Sequence, residues 1–308
     1  MISMHTTGHT TGRVRRSLRT LAAVAASSAL VLTACGADDD DAAASGPDMS
    51  KVDQSLRDLL PAEVIEAGKL EVASDIPYPP FEFFDADGKT VVGSDPDLAA
   101  AMGELLGIEF RFNTVAFDTM IPALDAGKYD IAMTGMADTA ERQEKVDFVD
   151  YGQNGGAFLV MADGDVKPTE IAALCGTTTG AQSGTVIADV LKGAAAQCPD
   201  VAPLDLKEFT VQQDIINALR SGRLDVAVIP SGSAAYLLTT TEGEFEISLV
   251  VPGGPLGIAV PKGNDELVEA LQATLQKLMD DGTYQAVLET YGLFEENAIE
   301  RATVNAGE

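Results

Sequence analysis

An α/β architecture with two similar lobes is predicted by three features of the sequence. Segments of helical and strand periodicity alternate along the chain, one helix-to-strand turn is echoed 95 residues later, and 46% of the 308 residues are apolar. That content suffices for one large domain or two ordinary lobes.

Taken in order, residues 51–67 are compatible with helix, although Pro61 divides them. Leu70-Glu71-Val72-Ala73-Ser74 then alternates as a first strand. Asp95 precedes a segment in which Leu98, Met102, Leu105 and Leu106 recur at helical spacing, and Gly107 supplies a natural stop. Residues 109–114 alternate at period two, with Phe110 and Phe112 on one face. The echo matches residues 121–133 to residues 216–228. Each copy holds a helix end, a glycine cap (Gly127, Gly222), a basic residue, an aspartate (Asp130, Asp225) and a buried strand. Two lobes follow from it, chance resemblance of two common turns being the alternative. In α/β sheets ligands collect beyond the carboxyl ends of strands. Those positions are the loops Thr134-Gly135-Met136 and Ile229-Pro230-Ser231, where a shared site is expected.

The N-terminal stretch reads as a targeting segment rather than as part of the fold. Arg13, Arg15, Arg16 and Arg19 form a basic region, and residues 21–32 are apolar but too short to span a bilayer comfortably. The pattern is a secretion signal over residues 1–34, with the general secretory route preferred to the twin-arginine route. It ends in Leu32-Thr33-Ala34-Cys35, which resembles a bacterial lipobox and implies acylation of Cys35. Residues 35–50, with Asp38 to Asp41 and then Ala, Ser, Gly and Pro, read as a flexible tether. Assigning Cys35 to lipid leaves Cys175 and Cys198, an even pair expected to be bridged in an exported protein; two buried thiols are the alternative. The net charge of −28 repels phosphate backbones and anionic lipid, so no nucleic-acid partner is expected and contact with the membrane is through the lipid only. His5 and His9 fall in the targeting segment. No Cys/His cluster suggests zinc, no Gly-x-Ser-x-Gly or phosphate-loop pattern occurs, and no metal, cofactor or catalytic residue is expected.

Several landmarks, weak singly, are specific in their order: Tyr78-Pro79-Pro80-Phe81-Glu82-Phe83, Gly93-Ser94-Asp95-Pro96-Asp97-Leu98-Ala99, Gly127-Lys128-Tyr129-Asp130, Thr139-Ala140-Glu141-Arg142, Gln182-Ser183-Gly184-Thr185 and Asp281-Gly282-Thr283-Tyr284. From about Gly68 to Phe294 the chain resembles the extracellular solute-binding proteins, family 3, that serve polar amino acid ABC importers. The resemblance implies a two-lobed periplasmic-binding-protein-like fold of type II with two hinge crossings, expected near residues 158–161 and 254–257. Lobe 1 would hold residues 68–157 plus 256–300, and lobe 2 residues 158–255. It further implies capture of an amino acid or related small carboxylate, delivery to an ABC permease with its ATPase, and a monomer anchored outside the cytoplasmic membrane.

Arg142 follows Asp138-Thr139, either of which can cap a helix, so its guanidinium would lie near a positive helix end suited to a carboxylate. Composition alone favours a surface ion pair with Glu141 or Glu144; the family motif implies a grip on the ligand carboxylate. Ser183-Gly184-Thr185 opens a helix and offers backbone N–H groups to an anion, or is a plain N-cap, and the two roles are compatible. Tyr78 and Phe117 resemble the aromatic positions that flank the ligand, against core packing as the alternative. Asp75 stands where family members contact the ligand's distal group, against a turn aspartate. Two departures stand out: Pro230 replaces the family's acidic anchor for the ligand ammonium, and Ala137 replaces a hydroxyl. The resemblance leaves Asp75 or Glu82 to hold an ammonium, or a ligand without one. A cyclohexadienyl-dehydratase-like enzyme and a ligand-sensing envelope module are the alternatives from other classes.

Overall fold

The computed structural model describes residues 49–308. The expected secretion signal, the lipidation site Cys35 and tether residues 35–48 lie outside the described residues, among which no helix is long and apolar enough to cross a membrane.

The chain opens on a 3-10 turn, Met49–Lys51, and two short helices, α1 Gln54–Arg57 and α2 Ala62–Ala67, separated at Pro61. Strand β1, Lys69–Ser74, leads through a small hairpin of β2 (Phe83–Phe84) and β3 (Val91–Val92) to α3, Ser94–Leu106. Gly107, in the left-handed conformation, ends α3 where the sequence predicts a stop. Next come β4 Glu109–Thr114, α4 Met120–Asp125, β5 Ile131–Ala132, α5 Ala140–Gln143 and the long β6, Val146–Met161. The middle of the chain gives β7 Thr178–Gln182, α6 Val186–Ala195, β8 Asp205–Phe209, α7 Gln212–Arg220, β9 Val226–Pro230 and α8 Ser231–Thr240. A second long strand, β10 Phe245–Pro261, then precedes α9 Asp265–Asp280, α10 Thr283–Thr290, α11 Phe294–Asn297 and β11 Thr303–Val304.

The main sheet runs in the order β4-β1-β5-β10-β6-β9-β7-β8. Its centre is the antiparallel pair β10 and β6; each flank is a parallel triplet, β4-β1-β5 on one side and β8-β7-β9 on the other. The echo in the sequence is therefore an echo in space. Val72 pairs with Ile131 as Thr179 pairs with Val226, and the two aspartates repeat one local bond: Asp130 accepts from Glu71 N and Asp225 from Thr178 N, both at 2.7 Å. In each case the aspartate stands just before its own strand and its side chain satisfies an N–H of the neighbouring strand.

Buried side chains divide the same way. One group, with Leu98, Phe148 and Leu271, draws on residues 60–151 and 256–302; the other, with Leu159, Leu191 and Ile229, lies within residues 157–245. The molecule is thus the two-lobed mixed α/β fold that the sequence predicts. Residues 158–160, where the first crossing is expected, pack inside the second group, and the β6–β10 register shifts between Val251 and Gly254 and between Leu256 and Gly257. Cys175 and Cys198 form the expected disulfide. The expected second loop is absent, because β9 runs through Pro230 and α8 starts at Ser231.

The end of the chain is built into the first lobe beyond residue 300. β11 pairs with Val149 and Asp150 of β6. Asn305 accepts from Phe148 N and donates to Asp147, the Thr303 hydroxyl and Ala306 N donate to Asp150, and Gly307 N donates to Asp138.

Candidate functional site

Between the two groups of buried side chains lies a cleft of about 180 Å³. Its lining includes Asp75, Tyr78, Phe117, Gly135, Arg142, Thr185 and Pro230, seven of the ten residues that the sequence and the family resemblance nominate. Asp75, Tyr78 and Arg142 are the ionisable residues on the wall.

Arg142 sits on α5, a short helix that starts at Thr139 because the Thr139 hydroxyl accepts from Arg142 N. Its guanidinium donates from Nη1 to Ala137 O at 2.6 Å and from Nη2 to Gly184 O at 3.0 Å, and lies 5.3 Å from the centre of the Phe117 ring. Two carbonyls and one aromatic face orient a group that has five N–H donors, leaving donors for an acceptor in the cleft. Burial shifts its pKa downward, and among the described residues no ion pair joins it to Glu141 or Glu144. The carbonyl of Ala137 thus supplies a bond where its side chain cannot.

Asp75 follows β1 and is buried; its backbone N–H donates to the Thr134 hydroxyl, and its carboxylate accepts from Gln182 Nε2 of the opposite lobe. Burial, only partly offset by Gln182, pushes the carboxyl up to about 6. Tyr78, flanked by the cis bonds Ile76–Pro77 and Pro79–Pro80, stacks on Phe81 with ring centres 5.0 Å apart. Gly135 has φ +58°, and a Cβ there would meet the Tyr78 ring at 2.9 Å, so the loop under Tyr78 requires glycine.

Three nominated residues do not line the cleft. Thr134 is fully buried, and its hydroxyl donates to Glu82. Ser183 donates its N–H to Phe209 O, and Gly184, at φ +74°, contributes the carbonyl held by Arg142 where a Cβ would meet Asp118 Cβ at 2.9 Å. Thr185 carries the capping role, accepting from Ala188 N and donating to Gln182 O. Glu82, an alternative holder for an ammonium, lies beneath the wall beside Asp95, which accepts from the Tyr151 hydroxyl and Gly135 N. Burial pushes Asp95 up to about 7 and Glu82 well above the usual carboxylate range, so this layer is a proton-holding support for the Gly135 loop.

Gln182 and Asn154 belong to the site without having been singled out. Gln182 joins the lobes by its bond to Asp75; its only sequence signal is its place at a strand end before Ser-Gly-Thr. Asn154, on β6, accepts at Oδ1 from the Ser231 hydroxyl at 2.7 Å and Gly232 N at 3.2 Å. Among the described residues no cluster of His, Cys, Asp or Glu could hold a metal ion.

Residues 70–294 match the bacterial extracellular solute-binding proteins, family 3. Over 254 residues the chain is 30% identical to the arginine-binding protein ArgT of Corynebacterium glutamicum, covering 81% of this chain and 82% of that protein. Among solved structures, an ancestral arginine-binding protein bound to arginine is 34% identical with a TM-score of 0.68, over 73% of this chain and 98% of that one. An ancestral amino acid-binding protein described as a precursor of cyclohexadienyl dehydratase is 33% identical with a TM-score of 0.66, over 74% and 97%.

Proposed function

The chain belongs to the bacterial extracellular solute-binding proteins, family 3, binding components of ABC importers, and from that premise we propose that its cleft captures an amino acid or close relative by the carboxylate, with Arg142 as anchor. One observation carries the anchor: a guanidinium aimed into the cleft by Ala137 O, Gly184 O and the Phe117 ring, on a wall with no other fixed cation. Because Arg142 rises from the first lobe and Gly184 belongs to the second, a carboxylate bound between the guanidinium and the start of α6 favours the closed arrangement of the lobes. Asp75 is the acidic group for the ligand's amino group, since a bound cation offsets the burial that raises its pKa. The curated relatives are binding proteins, and this chain is a binding protein rather than an enzyme.

We further propose that the lobes hinge at residues 152–156 and 251–257, where the β6–β10 register is irregular. The secretion signal and a lipid on Cys35 would hold the protein outside the cytoplasmic membrane as a monomer beside its permease and ATPase. Incorporation of radiolabelled palmitate, abolished by Cys35→Ser, tests the lipid; incorporation that survives the substitution refutes it.

Calorimetric titration of the purified protein with a panel of amino acids tests the anchor. Arg142→Ala is expected to weaken the tightest ligand by about 2–5 kcal/mol, the cost of removing one partner of a desolvated charge pair. Unchanged affinity would remove the anchor from Arg142.

A further inference from the structure

The second-lobe side of the cleft is apolar. Val186 and Val190, four residues apart on one face of α6, are 40% and 49% exposed, while Ala188 and Leu191 of the same helix point into the core. Ile171, Ile187, Val251 and Pro252 continue this surface in the same cleft that holds Arg142.

No carboxylate lines that side of the cleft, and Gln182 there is bonded through its amide nitrogen to Asp75 and Thr210 O. Pro230 has neither charge nor N–H. Asn154 cannot substitute, since both acceptor sites of its side-chain oxygen are occupied by the Ser231 hydroxyl and Gly232 N, leaving only N–H groups. Asp189, between the two valines in sequence, is paired with Lys192 and does not line the cleft.

We propose that this wall is a subsite for an apolar group, so that the ligand is an amino acid or related carboxylate with a branched or aromatic body. The proposal rests on the carboxylate reading of Arg142 and names the ligand class for that site. The apolar wall and the guanidinium share one cleft, so a molecule gripped by its carboxylate lays its body along α6. Covering such a surface excludes water from both partners, and each methylene buried strengthens binding about four-fold.

The test is calorimetric titration of the purified protein with leucine, phenylalanine, their deaminated counterparts 4-methylpentanoate and 3-phenylpropanoate, and arginine, repeated on Val190→Asp, Val190→Thr and Arg142→Ala. Leucine or phenylalanine is expected to bind at least ten-fold tighter than arginine. Val190→Asp should erase that preference, and the nearly isosteric Val190→Thr should reduce it in the same direction. Val190 is half exposed, so circular dichroism should show both variants folded. Arginine as the tightest ligand, lost in Arg142→Ala but indifferent to Val190→Asp, overturns the apolar subsite and leaves the anchor standing. Binding of these compounds that ignores Arg142→Ala, or binding of none of them, overturns the anchor and the subsite with it.

Discussion

Ending the chain at Arg301 should destabilise the first lobe and loosen the ligand anchor together. Residues 302–308 lie beyond the stretch shared with the family, yet they cover two buried carboxylates. Asp150 would lose the Thr303 hydroxyl at 3.0 Å and Ala306 N at 3.2 Å, and Asp138 would lose Gly307 N at 2.7 Å. Hydrogen bonds to charged groups contribute about 1.5–3 kcal/mol each, but carboxylates uncovered by truncation regain water, so a net loss of about 3 kcal/mol is expected. For a chain of this size that lowers the melting midpoint by about 6–12 °C. Asp138 also lies between Ala137, whose carbonyl holds the Arg142 guanidinium, and Thr139, which caps the helix carrying it. Ligand affinity should therefore fall by about 1 kcal/mol, the worth of one ordinary hydrogen bond. Differential scanning calorimetry and titration on the full and truncated chains measure both effects. A truncated protein that melts within about 2 °C of the full chain, with unchanged affinity, would show that the tail is decoration.

Three further outcomes follow from the same contacts. Asp75, Asp95 and Asp150 are pushed up by burial to about 6, about 7 and about 6 from an ordinary 3.8, so the folded protein holds protons the unfolded chain has released. Their contribution is fully present below the ordinary value and is lost as pH rises from there through the folded values; the thermal midpoint should drop between about pH 4 and pH 7, less steeply in Asp95→Asn. Replacing both Cys175 and Cys198 by Ser should cost about 3 kcal/mol in denaturant titration, as expected for opening a loop of 23 residues. Gly93→Ala should cost at least about 3 kcal/mol or prevent folding in the same titration, because φ is +137° and a Cβ would lie 2.2 Å from Phe81 O.

The fold is more legible in the sequence than the site is. Glu109–Thr114 forms the predicted strand, Gly107 ends α3, and the repeat of residues 121–133 at 216–228 reproduces the pairing of β5 and β9. Those features are local: a period of two or 3.6 and a glycine able to adopt positive φ are complete within a few residues. Pro230 shows the limit of that reading: the sequence puts it in a loop, and only the structure shows that it ends β9, which leads straight into α8.

Side-chain partners are decided at long range. Nothing near Thr134 announces that its hydroxyl serves Glu82 rather than the cleft, because Glu82 arrives from 52 residues away. Gln182 meets Asp75 across 107 residues, and Asn154 is held by Ser231 across 77. Composition, periodicity and glycine punctuation thus determined an α/β chain with two similar halves and an arginine at a helix start. Only the packing of the two halves decided which groups face the cleft and that residues 302–308 brace the loop before Arg142. The physical reason is that backbone conformation answers to neighbours in sequence, whereas burial and hydrogen-bond satisfaction answer to neighbours in space.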